Sequence, residues 1–405
     1  MVSECGPFEV MALSSETPAL VIASVACAAW TYVLLMRGGF WRAAERDDDE
    51  SSASCLPDVW PRVIAVVPAR NEAEVIAASV ISLLRQDYRG AFEIVVVDDH
   101  STDGTAALVH AAAANAGLAN RLAVLSAPSL PAAWTGKLWA MNCGTGYVDD
   151  LPVPPDYVLF TDADISYSSE ALTTLVVRAE RHGLVLTSLM AKLHCESFGE
   201  RALIPAFIFF FRMLYPFAWV NRPERSTAAA AGGCMLVQRK ALQAAGGIAA
   251  VRGELIDDCA LGRLLKRQGP IWLGLTQRAR SLRAFRSIGE IRPMISRSAY
   301  AQLRYSPWLL IGTVAAIAVT CLAPPLLAVG TSGVPRLLAA AAWVQMALAL
   351  QPTLRYYAVS RWWGAGMPAI AAAYLAFTLD SAFQHSRGRG GLWKGRVHGP
   401  APEGR

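Results

Sequence analysis

Charge is scarce in this chain. Only 17% of its 405 residues are Asp, Glu, Lys or Arg, whereas soluble domains carry about 25%. With a hydrophobic share of 54%, that scarcity excludes one water-soluble globule. Disorder is excluded too, because there is ample apolar surface to offset ordering entropy. Long basic tracts are lacking: the net charge of +5 is scattered, so no nucleic-acid partner is implied. Basic residues bordering apolar runs instead orient a membrane protein. The eight cysteines (Cys5, Cys27, Cys55, Cys143, Cys195, Cys234, Cys259, Cys321) form no C-x-x-C pair. Reduced thiols are a better reading of that spacing than a zinc knuckle or a disulfide framework.

What is present is apolar sequence piled up near both ends. Residues 18–36 (PALVIASVACAAWTYVLLM) carry no charge and are long enough to cross a bilayer core. Acidic residues (Glu4, Glu9, Glu16) precede this run and Arg37, Arg42 and Arg46 follow it. That order argues against a cleaved signal peptide and for an anchor, with 1–17 outside and all that follows cytoplasmic. Segment 37–61 reads as a cytoplasmic linker whose acidic part, 45–54, is expected to be solvated and mobile. Further runs at 308–330, 334–350 and 364–380 predict two or three C-terminal spans, the first kinked or re-entrant at Pro324 and Pro325. The basic tail 381–405 favours the inside, while three full crossings would place it outside; the two signals conflict. The chain is thus expected to be a multi-pass protein of the cell inner membrane.

Between the apolar ends the pattern changes. Short β-branched runs at 63–67 (VIAVV), 92–97 (FEIVVV), 121–125 and 157–160 (YVLF) alternate with helical stretches at 75–85 and 105–116. Continuous apolar strands alternating with helices predict a parallel sheet covered on both faces. Ligands of such sheets bind beyond the carboxyl ends of the strands. One more run, 204–220 (IPAFIFFFRMLYPFAWV), is apolar and aromatic but holds Arg212, with Pro205 and Pro216 interrupting it. It reads as an interfacial segment rather than a span.

The strand ends are where chemistry is found. The first runs into Pro68-Ala69-Arg70-Asn71-Glu72 and the second into Asp98-Asp99-His100-Ser101-Thr102-Asp103-Gly104. Asp103-Gly104 reads as a turn and helix cap, whereas Asp98 and Asp99 are placed either to cap or to accept hydrogen bonds from a nucleoside. The fourth strand runs into Asp162-Ala163-Asp164, a pair able to aim two carboxylates at one hard cation, Mg2+ or Mn2+, bridging to substrate phosphates.

Taken together, VVPARNEAEVIAASVISLLRQDY, EIVVVDDHSTDGT, TGKLWAMNCG and YVLFTDADI resemble an inverting family 2 glycosyltransferase of the GT-A fold. AGGCMLVQRKAL resembles that family's acceptor-side Gly-rich segment (Gly232, Gly233), and IDDCALGRLLKRQG its Glu-Asp-x-x-Leu helix motif. QLRY at 302–305 is similar to the end of Gln-x-x-Arg-Trp, with Ala301 and Tyr305 departing from it and putting a polymerising role in doubt. The resemblance spans about 62–305 and implies an α/β Rossmann-like GT-A domain flanked by N- and C-terminal transmembrane helices. Segments such as WVNRPERSTAAAAGG, QLRYSPWLL and WKGR resemble the hopanoid-biosynthesis-associated membrane glycosyltransferases.

By this resemblance Pro68, Arg70 and Glu72 line the nucleotide pocket, Asp99 meets the nucleobase, and Lys137 belongs to the donor side. Asp162 contacts ribose or metal, Asp164 holds the metal, and Arg304 holds pyrophosphate or borders the acceptor channel. Asp258 is the implied base, with Asp257 as the other candidate on the acceptor side. For both, a helix N-terminal pair favoured by the dipole is the plain structural alternative. The expected substrates are a nucleotide-diphosphate sugar, UDP-linked by default, and a membrane lipid hydroxyl, with a hopanoid as its most specific version. Two rivals stand: transfer to polyprenyl phosphate, and a non-catalytic membrane assembly factor retaining the fold. Transport is disfavoured by too few spans and no intramembrane acidic cluster.

Overall fold

The computed structural model describes residues 7–48, 57–388, 392–393 and 396–397. Residues 1–6, the linker residues 49–56 and most of the basic tail, Arg389 and Lys394 among them, lie outside the described residues. The chain divides into two compact units. Ala44–His194, Tyr215–Phe285 and Arg387–Arg405 form an α/β unit; Met1–Ala43, Cys195–Leu214 and Arg286–Ser386 form a helical one.

The α/β unit is built on β1 (Val63–Ala69), β2 (Phe92–Asp98), β3 (Leu122–Ser126), β4 (Tyr157–Thr161), β5 (Ile165–Tyr167), β6 (Leu186–Lys192), β7 (Cys234–Gln238) and β8 (Ile271–Ser281). Their order in the sheet is β3-β2-β1-β4-β7-β6-β8-β5. The first four are parallel, as the alternation of strands and helices predicts. The all-parallel expectation is corrected beyond them: β7 runs antiparallel to both β4 and β6, and β5 antiparallel to β8. β7 enters from the Gly232–Gly233 turn, after the helices Phe198–Leu214 and Phe217–Val220, and lies between β4 and β6.

All seven residues of β1 are buried, and alternate residues serve opposite faces. Val63, Ala65 and Val67 join a core with Ile76, Val80 and Leu83 of the helix Ile76–Leu84 and Val109 of Thr105–Asn115. On the other face the helix Gly136–Asp149 comes so close that a Cβ on Gly144 would sit 2.4 Å from Val66 Cγ1. Only glycine fits there. This close approach aims the N-terminal end of that helix, with Lys137, at the strand ends.

The start of the linker is not solvated. Glu45 and Asp47 pair with β8 through Leu275 (2.9 and 3.1 Å), and Asp47 is buried against Thr276 Oγ1 (2.6 Å) and Arg278. β5 pairs with β8 only over 279–281, so the preceding stretch of β8 has an edge that this segment covers.

In the helical unit the described helices are Pro7–Met36, Phe198–Leu214, Ile288–Gln302, Pro307–Ile317, Ala323–Gly330, Gly333–Tyr356 and Met367–Ser386. Among the described residues four helices are long and apolar enough to cross a membrane: Thr17–Met36, Phe198–Val220, Pro307–Gly330 and Gly333–Tyr356. The run expected at 364–380 forms the helix Met367–Ser386, which is not one of these four. Pro205 does not interrupt its helix; the break comes at Tyr215–Pro216. Pro324 and Pro325 are absorbed by a π-turn over Ala318–Leu322. Pro324 has no N–H for the Thr320 carbonyl, and the Trp30 indole donates to that carbonyl instead (2.9 Å).

Candidate active site

Ala69 and Asp98, the last residues of β1 and β2, are register partners, so the loops that follow run side by side. They are zipped together by Asn71 N to Ser101 Oγ (2.9 Å), Thr102 N to Asn71 Oδ1 (2.8 Å), Glu72 N to Thr105 Oγ1 (2.9 Å) and Ala73 N to Asp103 Oδ2 (3.0 Å). Asp103 also accepts from Thr105 Oγ1 (2.6 Å), and Gly104 follows with φ +85°. Asp103 and Gly104 therefore form a structural turn.

The predicted nucleotide residues gather on this platform. Pro68 faces Val97 in β2 and lies beyond Val66, the last β1 residue paired with β4. The Arg70 guanidinium lies 3.6 Å from the carboxylate of fully buried Asp99 and donates to the Asp99 carbonyl. Asp98 is buried as well. Its Oδ2 accepts from Ser101 N (3.2 Å), but its Oδ1 has no partner among the described residues. A buried carboxylate oxygen left open in this way is costly unless something else supplies a donor.

A second group forms where β4 ends. Thr135 caps the helix Gly136–Asp149 by accepting from Leu138 N (3.2 Å), and Lys137 in its first turn lies 2.7 Å from Asp162 Oδ1. The same ammonium is 3.5 Å from Asp257 Oδ2. Asp257 and Asp258 begin the helix Asp257–Leu265. Asp258 Oδ2 accepts from Gly232 N (3.0 Å) and Oδ1 from Cys259 N (2.7 Å). A Cβ on Gly232 would meet Lys137 Nζ at 3.1 Å and Asp258 Oδ2 at 3.5 Å, so the space a side chain would take holds this charged group. The Gly233 carbonyl accepts from Thr161 Oγ1 and the Tyr167 hydroxyl, both at 3.0 Å, which ties the turn to β4. The structure thus brings Lys137, Asp162, Asp257, Asp258 and Gly232 together.

Electrostatics follow from this packing. Burial alone would push the Lys137 ammonium down, but Asp162, Asp257 and Asp258 outweigh it and hold the ammonium above its ordinary value. Burial, then the neighbouring Asp257 charge, push the Asp258 carboxyl up to about 6 against the pull of Lys137 and two backbone N–H groups. Burial likewise raises Asp162, opposed by Lys137 and reinforced by Asp164.

Asp164 faces a different cation. Its Oδ2 accepts from Ser281 Oγ and Arg283 Nε, both at 3.2 Å, and Arg283 Nη2 reaches Glu72 Oε2 at 2.5 Å. Sequence reasoning missed Arg283 and Ser281, which lie at and just beyond the end of β8, outside any quoted motif. The one signal is the spacing of Arg278, Arg280, Arg283 and Arg286 at that strand end. Arg304 belongs to the helical unit, where it and Tyr305 both take left-handed φ values, +52° and +55°.

Asp162 and Asp164 offer hard oxygen donors at one strand end. No group of three or more His, Cys, Asp or Glu able to hold a metal occurs among the described residues. Mg2+ at nucleotide sites needs no such cage, because one or two carboxylates suffice when substrate phosphates and water complete the shell. The donor set fits a divalent cation that arrives with a diphosphate.

Residues 64–246 match the family described as Glycosyl transferase family 2. Among solved structures, a mannosyltransferase from Pyrobaculum calidifontis in complex with GDP-Man and Mn2+ is similar at 20% identity and a TM-score of 0.54, covering 91% of this chain and 99% of that one. Glucosyl-3-phosphoglycerate synthase from M. tuberculosis is similar at 19% identity and a TM-score of 0.38, covering 60% of this chain and 80% of that one. No curated protein matches the sequence. Residues 64–246 are thus similar to family 2 glycosyltransferases, the fold is of the GT-A kind, and among the described residues four helices are long and apolar enough to span a membrane.

Proposed function

We propose that this chain is a membrane-bound inverting glycosyltransferase that moves a sugar from a nucleoside-diphosphate sugar to a lipid hydroxyl. One observation carries the reading: Lys137 contacts both Asp162, at the end of β4, and Asp257, beside Asp258 at the start of the base helix. Two acidic groups distant in sequence thus border one reaction space.

On this reading the open Asp98 Oδ1 accepts an N–H of the nucleobase, with Arg70 fixing Asp99 behind it. Pro68 and Glu72 border the nucleotide, and Lys137 lies along the diphosphate. Asp162 and Asp164 would hold a divalent cation, which when bound neutralises charge on the departing diphosphate. Asp258 takes the proton of the attacking hydroxyl, on the face opposite the leaving group, so the anomeric configuration inverts. Its carboxyl, raised to about 6, is ionised at neutral pH yet basic enough for the task. Gly232 N fixes one carboxylate oxygen of Asp258 and leaves no bulk between the base and Lys137.

A lipid acceptor follows from where the apolar sequence leads. Tyr215, at the break in the segment Phe198–Val220, hydrogen-bonds the Cys259 thiol, and Cys259 is the next residue after Asp258. The stretch that follows the apolar helix Phe198–Leu214 in sequence is thus bonded to the helix that begins with Asp257 and Asp258. The arginines after the first span favour the cytoplasmic side for the domain, where nucleotide sugars are found. A hopanoid or other polycyclic lipid is the most specific version of the acceptor. UDP-sugars are the first donors to try, with GDP-sugars beside them because the mannosyltransferase of similar fold is bound to GDP-Man.

Vesicles containing the full chain, given labelled UDP- or GDP-sugars, Mn2+ and membrane lipids, should yield label in the organic extract. Label appearing solely on water-soluble acceptors would reject the lipid acceptor. Absence of transfer and of metal-dependent donor binding would favour an assembly factor.

A further inference from the structure

We propose that Arg283 is an internal counter-ion exchanged for the divalent cation, so that metal binds well only in company with a nucleoside diphosphate. The inference rests on the transferase reading and goes beyond it, because no motif assigns Arg283 a part.

Arg283 is held by two carboxylates from opposite sides of the site, Asp164 at 3.2 Å and Glu72 at 2.5 Å. Glu72 comes from the loop after β1 and Asp164 from the end of β4, so the guanidinium closes the gap between the nucleotide loop and the metal carboxylates. Side-chain exposure sets which partner is free to leave: Arg283 is 38% exposed, against 17% for Asp164 and 11% for Glu72. Of the three, the arginine has the most room to turn toward solvent. Asp164 Oδ2 is further pinned by Ser281 Oγ, and the backbone of Leu282 donates to the Asp164 carbonyl (2.8 Å).

A dication on Asp164 would lie beside this guanidinium, repel it and compete with it for the same carboxylate. Metal alone must therefore displace the arginine at a cost. Metal arriving with a diphosphate brings anionic oxygens with it, and the released guanidinium gains an anion to face. The consequence is a coupling between metal and nucleotide that is reciprocal by linkage. Chemically, only ion pairs are exchanged and no covalent bond changes.

The test is Mn2+ binding by the full chain in nanodiscs, read by loss of the free Mn2+ paramagnetic resonance signal, without any sugar donor. Wild-type protein should bind Mn2+ alone weakly, and Arg283→Gln at least about tenfold more tightly. Adding UDP or GDP should bring the two affinities to within about threefold of each other. Arg283→Lys, which keeps the charge but has a shorter side chain and no guanidinium fork, should fall between them and guards against a misfolded glutamine variant. Equal Mn2+ affinities in all three proteins without nucleotide, alongside nucleotide-dependent binding, would overturn the exchange and leave the transferase reading standing. No Mn2+ binding by any of them, with either nucleotide, would overturn both.

Discussion

The two units both bury charge, and they use it differently. In the helical unit, buried Arg212 reaches the Phe40 carbonyl and Thr353 Oγ1, and buried Glu200 accepts from Glu196 N (2.9 Å) and Ser197 N (2.8 Å) at the start of its helix. Arg37 donates to the Met213 carbonyl (2.9 Å) near the end of the same helix. These charges meet backbone groups that helix ends leave open. In the α/β unit, Lys137 and Arg283 meet carboxylates instead. A charge held by backbone groups alone has no partner to trade, whereas a charge paired with a carboxylate at the strand ends can trade that partner for a ligand. Arg70 is held both ways, and the Arg278–Asp47 pair lies at the β8 edge and serves the fold.

That distinction is tested hardest at Asp258. Asp258→Asn should lower kcat by at least about a hundredfold, the low end for a general base, measured as sugar transfer to lipid in vesicles. Retention of most activity would point to an acceptor that is already an anion, as with polyprenyl phosphate. In the wild type the acid limb of the rate profile should rise through about pH 6, because the base works only after losing its proton. Lys137→Met comes next in size. Removing the positive charge raises Asp258 further, so the acid limb should move up by about one pH unit and donor binding weaken roughly tenfold. A limb that stays in place would mean the ammonium does not act on the base.

The contrasting change in the helical unit is Arg212→Met. It strands the Phe40 carbonyl and should cost about 1–3 kcal/mol of stability, seen as a lower thermal midpoint. Activity per folded molecule should stay within about twofold, since no carboxylate of the site is disturbed. A large loss of kcat at unchanged stability would break the comparison.

How much of this was legible in the sequence depends on what kind of signal each part leaves. The parallel half was readable because β1, β2 and β4 are continuous apolar runs whose ends carry acids. The antiparallel half was not, because β7 is a short apolar run whose own residues carry no sign of its direction, which depends on its place between β4 and β6. The helix Gly136–Asp149 was quoted as a motif but not foreseen as a helix. Its three glycines lower helix propensity, and its real determinants are the Thr135 cap and the fit of Gly144 against Val66. Among site residues, Asp162 was found from its strand-end spacing and from resemblance, Lys137, Asp257 and Asp258 from resemblance alone, and the structure brings the four together. Arg283 had only the arginine spacing at its strand end as a cue, because its position depends on how β8 lies beside β5 and β6, a long-range property.

The smallest expected effect is at Asp103, in the same acidic loop as Asp98 and Asp99 but bound to the protein rather than open to a ligand. Its carboxylate accepts from Ala73 N, Thr105 N and Thr105 Oγ1, which outweigh its slight burial and hold it below the usual carboxylate value. A depressed folded value means that this stabilisation is present above the unfolded carboxylate range and is lost as pH falls through the folded value. Asp103→Ala should therefore lower stability by about 1 kcal/mol at neutral pH, a normal figure for losing a cap. The difference from wild type should shrink in acid, as followed by thermal melts at several pH values. Donor KM should change by no more than about twofold, because Asn71 and Ser101 still hold the two loops together. Were KM to rise as steeply as the site variants demand, all three acids at and beyond the end of β2 would belong to the nucleotide. Partner type would then fail as a guide to which charges serve the fold and which serve the substrate.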